Sequence, residues 1–411
     1  MFLVTASPLD PMDLLAALVA ARSPNPPGDE RAVAGVVRDA AQALGLPGPE
    51  EYRRSPERPN LLFRTGDDYP GTPRLMLVGH LDTMPPGNLG SWQTDPYQLT
   101  AVGDDGLAGS VGDGGLAGLG VADMKAGVAA ALLAAGRLLA DPGWAGALDL
   151  LFVADEENCS DCGMKWLAGR DVLAADAAVI LEPAGGAPAQ SWHRLFVAQR
   201  GSCVVRLTAR GVPGHSAEPI PAGERAGVIL ARAMAALADA DLFPGAADPV
   251  DGTRPTVNIG TMLSGGITPF MHPETMTATV EVRVIEGLKQ QDVTSELHTA
   301  LVKAGAGERV ELTLADPPHD WVPPSSAAGA TRLTGAAAAA MRAVLGAEPA
   351  RGVLLGVTDS CWLTEAGIPT LPAFGCGSLA VAHRPNEWIP AADYPRATDL
   401  AEALVRLYAA Q

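Results

Sequence analysis

Lysine is nearly missing from the chain: only Lys125, Lys165, Lys289 and Lys303 occur among 411 residues. With arginine the basic side chains number 29 against 47 acidic ones, and the net charge is −18. A field of that sign repels phosphate backbones and argues against a nucleic-acid partner. The scarcity of lysine beside abundant Ala and Gly reads as coding bias, without mechanistic content. No apolar run reaches the ~18–20 residues that a membrane span requires, so no membrane partner is expected. The segment Met1–Leu14 lacks a basic n-region and carries Asp10 and Asp13 within its apolar stretch. A secretory signal is therefore not expected, and the cytoplasm is the expected compartment. Five cysteines, Cys159, Cys162, Cys203, Cys361 and Cys376, are too few for a disulfide framework. Cys159 and Cys162 form a CxxC with no second pair to complete a zinc knuckle, so two reduced thiols in a loop are expected.

What is abundant is ordinary: 47% hydrophobic and 18% charged residues describe a globular chain, not a disordered one. At about 100–200 residues per domain, the length suits two or three domains, or one interrupted by an insertion. Residues 11–45 read as two helices broken at Ser23-Pro24-Asn25-Pro26-Pro27-Gly28-Asp29-Glu30, with Asp29 available as a cap. Leu75–Val78, Leu148–Val153 and Ala177–Leu181 are short, largely apolar runs suited to strands buried on both faces. A helical pattern, Lys125–Leu139, lies between the first two. Such alternation predicts an α/β domain with a mostly parallel sheet.

The pattern then changes. Cys203–Ala209 alternates like a half-exposed strand, Gly223–Leu242 is helical, and Thr256–Leu263 and Met276–Val284 are strands around a Gly265-Gly266 turn. Gln290–Lys303 is helical and Arg309–Leu314 is a strand. The order β-α-β-β-α-β is a split βαβ, ferredoxin-like α+β unit with one open face. It is expected over residues 197–317, inserted into an α/β domain made of 1–196 and 318–411. The helix Leu333–Leu345 and strands near Val353 and Pro369–Phe374 resume the larger domain.

Chemistry-bearing residues cluster just after the predicted strands, where open α/β sheets bind ligands. These are His80 and Asp82, Asp123 ahead of a helix, the pair Glu156 and Glu157, Glu182, and His383. Each has a plainer reading alone: a satisfied histidine, a helix N-cap, a solvated acidic turn. Together, two imidazoles and three carboxylates can hold two divalent cations with one carboxylate between them. Mixed N/O ligation suits zinc, cobalt or manganese better than calcium. Two such ions about 3.5–4 Å apart make a hydrolytic clamp.

The motifs occur in a specific order. Ser23–Glu30 is followed by His80-Leu81-Asp82-Thr83, Asp123-Met124-Lys125, Asp155-Glu156-Glu157, Glu182-Pro183, Gly214-His215-Ser216, Val282-Arg283, Thr358-Asp359 and His383. This series resembles the M20 metallopeptidase family, the group that includes acetylornithine deacetylase, succinyl-diaminopimelate desuccinylase, aminoacylase-1 and glutamate carboxypeptidase. The resemblance covers nearly the whole chain. It implies that His80 and Glu182 hold one metal ion, Glu157 and His383 a second, and Asp123 bridges them, with a cis peptide at Asp123–Met124. It implies two divalent ions, zinc first and cobalt or manganese as alternatives. Asp82 would orient His80 through its carboxylate, and Glu156 would be the general acid/base. His215 would help stabilise the oxyanion from a partner subunit, while Asn258 and Arg283 would bind a substrate carboxylate, for which an Arg fork is well shaped. The inserted unit would be a lid and dimerisation domain of a homodimer, and Gly356–Ser360 would line the substrate pocket.

Three positions depart from the family pattern: Leu119 where Arg is frequent, Glu281 where Asp is usual, and Pro269–Pro273 where Asn is normal. None removes an implied ligand. Within the resemblance, Glu at position 182 favours a deacylase or carboxypeptidase over an aminopeptidase or dipeptidase. The expected activity is hydrolysis of an N-acyl amino acid, acetyl or succinyl type. The alternatives are a carboxypeptidase or dipeptidase acting on a short peptide, carbamoyl hydrolysis on the same framework, and a non-catalytic member. A dinucleotide enzyme would need GxGxxG and a serine hydrolase GxSxG; neither is complete here.

Overall fold

The computed structural model describes residues 9–66, 71–107 and 114–411. Residues 1–8, on which part of the leader reading rests, lie outside the described residues. The chain divides into two compact units, one running to Ala198 and resuming over Ser325–Leu354 and Thr358–Gln411, the other Gln199–Pro324 with Leu355–Val357.

The first unit is built on a six-stranded sheet in the order Glu50–Arg53, Pro59–Gly66, Ala147–Val153, Arg74–His80, Ala177–Ile180, Thr370–Leu371. The last four run parallel and the first two antiparallel. The expected apolar runs are strands because their side chains are buried on both faces: every residue of Arg74–His80 and Ala147–Val153 is buried. Asp149 tolerates this burial because its carboxylate meets Arg74 at 2.5 Å and Arg64 at 3.2 Å.

Helix Ala126–Ala140 is buried nearly all round, which its small residues permit. Gly127 sets how close it comes: a Cβ there would stand 2.3 Å from the Leu181 carbonyl oxygen, one residue before Glu182. Helix Pro11–Ala20 begins with Asp10 as N-cap, its side chain accepting from the Met12 N–H at 2.7 Å. The second helix, Arg31–Ala43, takes Glu30 as its cap residue without a side-chain bond, while Asp29 accepts from the Arg31 N–H at 3.2 Å. The strands Glu50–Arg53 and Pro59–Gly66 and the closing helix Asp393–Ala409 add to the elements expected from sequence.

The second unit has a wholly antiparallel sheet, Thr256–Gly265, Thr275–Val284, Gly201–Arg210, Val310–Leu314. With helices Ala226–Asp239 and Gln290–Lys303 this is the β-α-β-β-α-β arrangement. Alternation along Gly201–Arg210 buries Cys203, Val205, Leu207 and Ala209 in one core with Val280, Val282, Leu230, Ala233, Val293 and Leu297. The unit continues past residue 317 because Trp321–Val322 adds a short strand, with Ser202 opposite Val322 and Cys203 opposite Trp321. No helix among the described residues is long and apolar enough to cross a membrane.

Candidate metal centre

Five sequence-predicted ligands converge in the first unit, each delivered by the end of a sheet strand or a loop beside it. His80 ends its strand, Glu156–Asn158 is a short turn after Val153, Glu182 follows Ile180, and Asp123 lies in the kinked turn that opens helix Ala126–Ala140. The Asp123–Met124 peptide is cis, as the resemblance implied. His80, Asp123 and Glu182 form one potential ligand group, and Asp123, Glu157 and His383 a second. Within each group the ligand atoms lie within 4.8 Å of one another.

The Asp123 carboxylate is split between them. Its Oδ1 is 2.9 Å from His80 Nε2, which also lies 3.2 Å from Glu182 Oε1. Its Oδ2 is 3.1 Å from His383 Nε2, which lies 3.0 Å from Glu157 Oε2. Histidine nitrogens and single carboxylate oxygens facing common points are the donor set of borderline divalent ions.

The electrostatics show what such a cluster must do without cations. Burial, then the Asp123 charge, raises the Glu182 carboxyl to about 8, although His80 opposes it. Burial also raises Glu157. Hydrogen bonds to Asp123 and Glu157 raise His383 to about 11. His80 rises well above its ordinary value even though burial opposes the charge, because Asp123 and Glu182 hold it. The residues of the cluster alone therefore favour retained protons, which offset crowded buried carboxylates. Divalent ions supply the same compensation, so the residues fit the group.

The Asp82 carboxylate plays a different part from the one expected. His80 Nδ1 faces the main-chain carbonyl of Asp82 at 2.9 Å, and the carboxylate is 3.7 Å away. The carboxylate instead accepts the N–H of Glu156 on Oδ1 and of Glu157 on Oδ2, both at 3.1 Å. It thus shapes the turn that presents both glutamates. The Glu157 carboxylate is engaged twice, its Oε1 by the Met84 N–H at 3.0 Å and its Oε2 by His383. The Glu156 carboxylate has no hydrogen-bond or ion-pair partner among the described residues, and burial pushes it well above the usual range.

Glu387, which the sequence reading passed over, clamps the Asp123 turn. Its Oε1 accepts from Ala122 N–H at 2.8 Å and Asp123 N–H at 3.0 Å, and its Oε2 from Gly120 N–H at 2.9 Å. Its place four residues after His383 in one short loop was the available signal. Thr358, Asp359 and Ser360 are buried, with Thr358 Oγ1 donating to the Pro372 carbonyl and Ser360 Oγ bonded to Ser325 Oγ.

His215, Asn258 and Arg283 belong to the second unit. Asn258 and Arg283 meet on its open face through Glu281, which takes Asn258 Nδ2 at 3.0 Å and Arg283 Nε at 2.8 Å. His215 is exposed on a two-residue strand paired with Met271–His272, its Nδ1 accepting from the Ala217 N–H at 3.1 Å.

Residues 76–407 match Peptidase family M20/M25/M40. The chain belongs to this family. It is 29% identical over 392 residues to a succinyl-diaminopimelate desuccinylase of Methylobacterium radiotolerans, covering 92% of each chain. A desuccinylase of the same name from Gluconobacter oxydans is 34% identical over 220 residues, 52% of each chain. Among solved structures, an M20 family metallo-carboxypeptidase from Sulfolobus solfataricus superposes with a TM-score of 0.72 at 18% identity, covering 98% of this chain and 100% of that one. Human carnosine dipeptidase 1 gives 0.67 at 19% identity, covering 98% and 96%. At these identities the structural likeness establishes the fold. As a member of the M20 family this chain is a metal-dependent hydrolase of amide C–N bonds, and its cofactors are divalent metal ions.

Because ligating histidines and carboxyls must lose their protons to bind metal, metal binding is expected to release protons and to tighten as pH rises. Calorimetric titration of zinc into apo-protein near pH 7, in buffers of different ionisation enthalpy, checks this. The expected result is at least about one proton released per protein, since Glu182 and His383 sit at about 8 and about 11. Heat independent of the buffer contradicts it.

Proposed function

We propose that the protein removes a dicarboxylic, succinyl-type acyl group from the nitrogen of an amino acid. The observation that carries this reading is the complete ligand cluster with one glutamate, Glu156, left unspent beside it. The desuccinylase names of the curated relatives support the choice of acyl group, and Glu at position 182 favours a deacylase or carboxypeptidase over an aminopeptidase or dipeptidase.

His80 and Glu182 would hold one ion, Glu157 and His383 the other, and Asp123 both; zinc is the ion we assign, with cobalt or manganese able to replace it. Two such ions polarise an amide carbonyl and make water nucleophilic near neutral pH. Glu156 takes the proton from the attacking water and returns it to the departing amine. Asp82 holds the Glu156–Glu157 turn in place. Arg283 and Asn258, oriented by Glu281, receive a substrate carboxylate, and His215 steadies the oxyanion. The first unit is the catalytic domain, and the second is the lid and dimerisation domain.

A homodimer is part of this reading. Thr256–Gly265 is an edge strand among the described residues; Met262 and Leu263 on it, and Ile267, Phe270 and Met271 after it, are exposed, Ile267 at 94%. An unpaired edge with apolar side chains is the kind of surface a second copy covers. A cytoplasmic setting completes the reading. The same cluster would serve a carboxypeptidase, and the Sulfolobus structure keeps that as the second reading.

Amine release from N-succinyl, N-acetyl and N-formyl amino acids, beside free and blocked dipeptides, tests the substrate. The N-succinyl compounds are expected to lead, and preference for peptides would move the assignment to a peptidase. Glu156→Ala should lose about 10²–10⁴-fold in kcat with metal content intact, and turnover near wild type would remove Glu156 from its role. Separately, Ile267→Asp with Phe270→Asp should halve the mass measured by light scattering. A wild-type protein that is already monomeric would end the dimer proposal.

A further inference from the structure

The motif Ser23–Glu30 contributes no ligand, yet the structure wraps it around one side chain, Arg58. Arg58 Nη1 donates to Glu30 Oε1 at 2.6 Å, and Nη2 donates to Asn25 Oδ1 at 3.0 Å and to the Pro27 carbonyl at 3.1 Å. Nη2 also lies 3.4 Å from Asp155 Oδ1. The Arg58 side chain is 11% exposed, and its guanidinium packs directly on Gly28, where a Cβ would stand 1.9 Å from Arg58 Cζ. Gly28 adopts φ +79°, a conformation that favours glycine. The socket is tied to the His80 loop, since Asn25 N–H donates to the Thr83 carbonyl at 2.8 Å and Thr83 N–H to the Ser23 carbonyl at 3.0 Å.

What the socket controls is the amide of Asn25, which is fully buried. A guanidinium can only donate, so it fixes Oδ1 as the atom facing Arg58 and turns Nδ2 the other way. Nδ2 then donates to Asp82 Oδ2 at 2.9 Å and to Asp155 Oδ1 at 3.0 Å. Those carboxylates build the turn: Asp82 takes the N–H groups of Glu156 and Glu157, and Asp155 Oδ2 takes the N–H of Cys162 at 2.9 Å. Asp155 itself sits at φ 65°, a conformation that needs such support. Arg58 also offsets three buried carboxylates, Glu30, Asp82 and Asp155, that would otherwise crowd one another.

We propose that Arg58 and Asn25 are positioning residues for Glu156, acting through Asp82 to set the turn on which the general base and the ligand Glu157 stand. The inference rests on the role given to Glu156 above. Arg58 is specific to the task because its planar fork reaches a carboxylate, an amide oxygen and a carbonyl together, which a lysine ammonium cannot.

The test uses metal-loaded full-length protein with the substrate found in the panel above, and metal-free protein for exchange. Asn25→Ala and Arg58→Ala should each lose about 10–100-fold in kcat with KM within about twofold. Guanidinium or methylguanidinium at millimolar concentration should restore part of the kcat of Arg58→Ala, and should not restore Asn25→Ala or improve the wild type. Arg58→Lys should remain impaired. In metal-free protein, hydrogen exchange at the Glu156 and Glu157 amides should be at least about tenfold faster in Asn25→Ala than in the wild type. If Arg58→Ala does not fold, Asn25→Ala carries the test alone, since it removes no charge. Wild-type kcat in Asn25→Ala, or unchanged exchange at both amides, overturns the proposal. Active Glu156→Ala would instead remove the reading on which it rests. An inactive Glu156→Ala beside fully active Asn25→Ala and Arg58→Ala would remove this inference alone.

Discussion

The structure depends on one carboxylate serving two sides. Asp123 places Oδ1 against His80 and Oδ2 against His383, and Glu182 and Glu157 each close one of the groups so formed. Three carboxylates this close, in a mostly buried setting, repel one another strongly, and burial removes the water that would screen them. Protons or cations must compensate. The raised values of Glu157, Glu182 and both histidines are that requirement expressed in protons. In the family to which the chain belongs, divalent ions meet it and supply the hydrolytic chemistry at the same time.

Two carboxylates beside the cluster, Glu387 and Asp82, hold backbone in place. The parallel strands bring His80 and Glu182 to one end of the sheet, and the absent side chain of Gly127 lets the Asp123 helix lie against the Leu181 carbonyl. Glu387 gathers three N–H groups of the Asp123 turn, and Asp82 gathers the two N–H groups of the Glu156–Glu157 turn. Carboxylates that accept main-chain N–H groups are strong, directional clamps. They convert loops, ordinarily the most mobile parts of a fold, into a rigid frame for side chains that must sit within fractions of an ångström.

Most of the candidate ligands are legible because they follow a strand or open a helix whose apolar pattern is itself legible, as at Leu75–Val78 before His80; His383, in a turn past Gly375–Ser378, is assigned by the resemblance. The mostly parallel sheet and the β-α-β-β-α-β insertion followed from runs and alternation of the same kind. Other features depend on contacts distant in sequence, which no local pattern records. Arg58 sits beside Asn25 across 33 positions, and Trp321–Val322 extends the inserted unit by pairing with residues more than a hundred positions earlier. The resemblance assigns the Asp82 carboxylate to His80. The turn it shapes lies 74 residues downstream, where spacing from His80 has no bearing. Pro59–Gly66 carries little local signal because its apolar core, Leu61–Phe63, is short and flanked by polar residues, although the paired sheet buries it.

The most direct test of the shared carboxylate is anomalous diffraction from crystals of the zinc-loaded protein. The account predicts two peaks about 3.5–4 Å apart, one beside His80 and Glu182, the other beside Glu157 and His383, with one Asp123 oxygen on each. A single peak, or both Asp123 oxygens on the same ion, would contradict it.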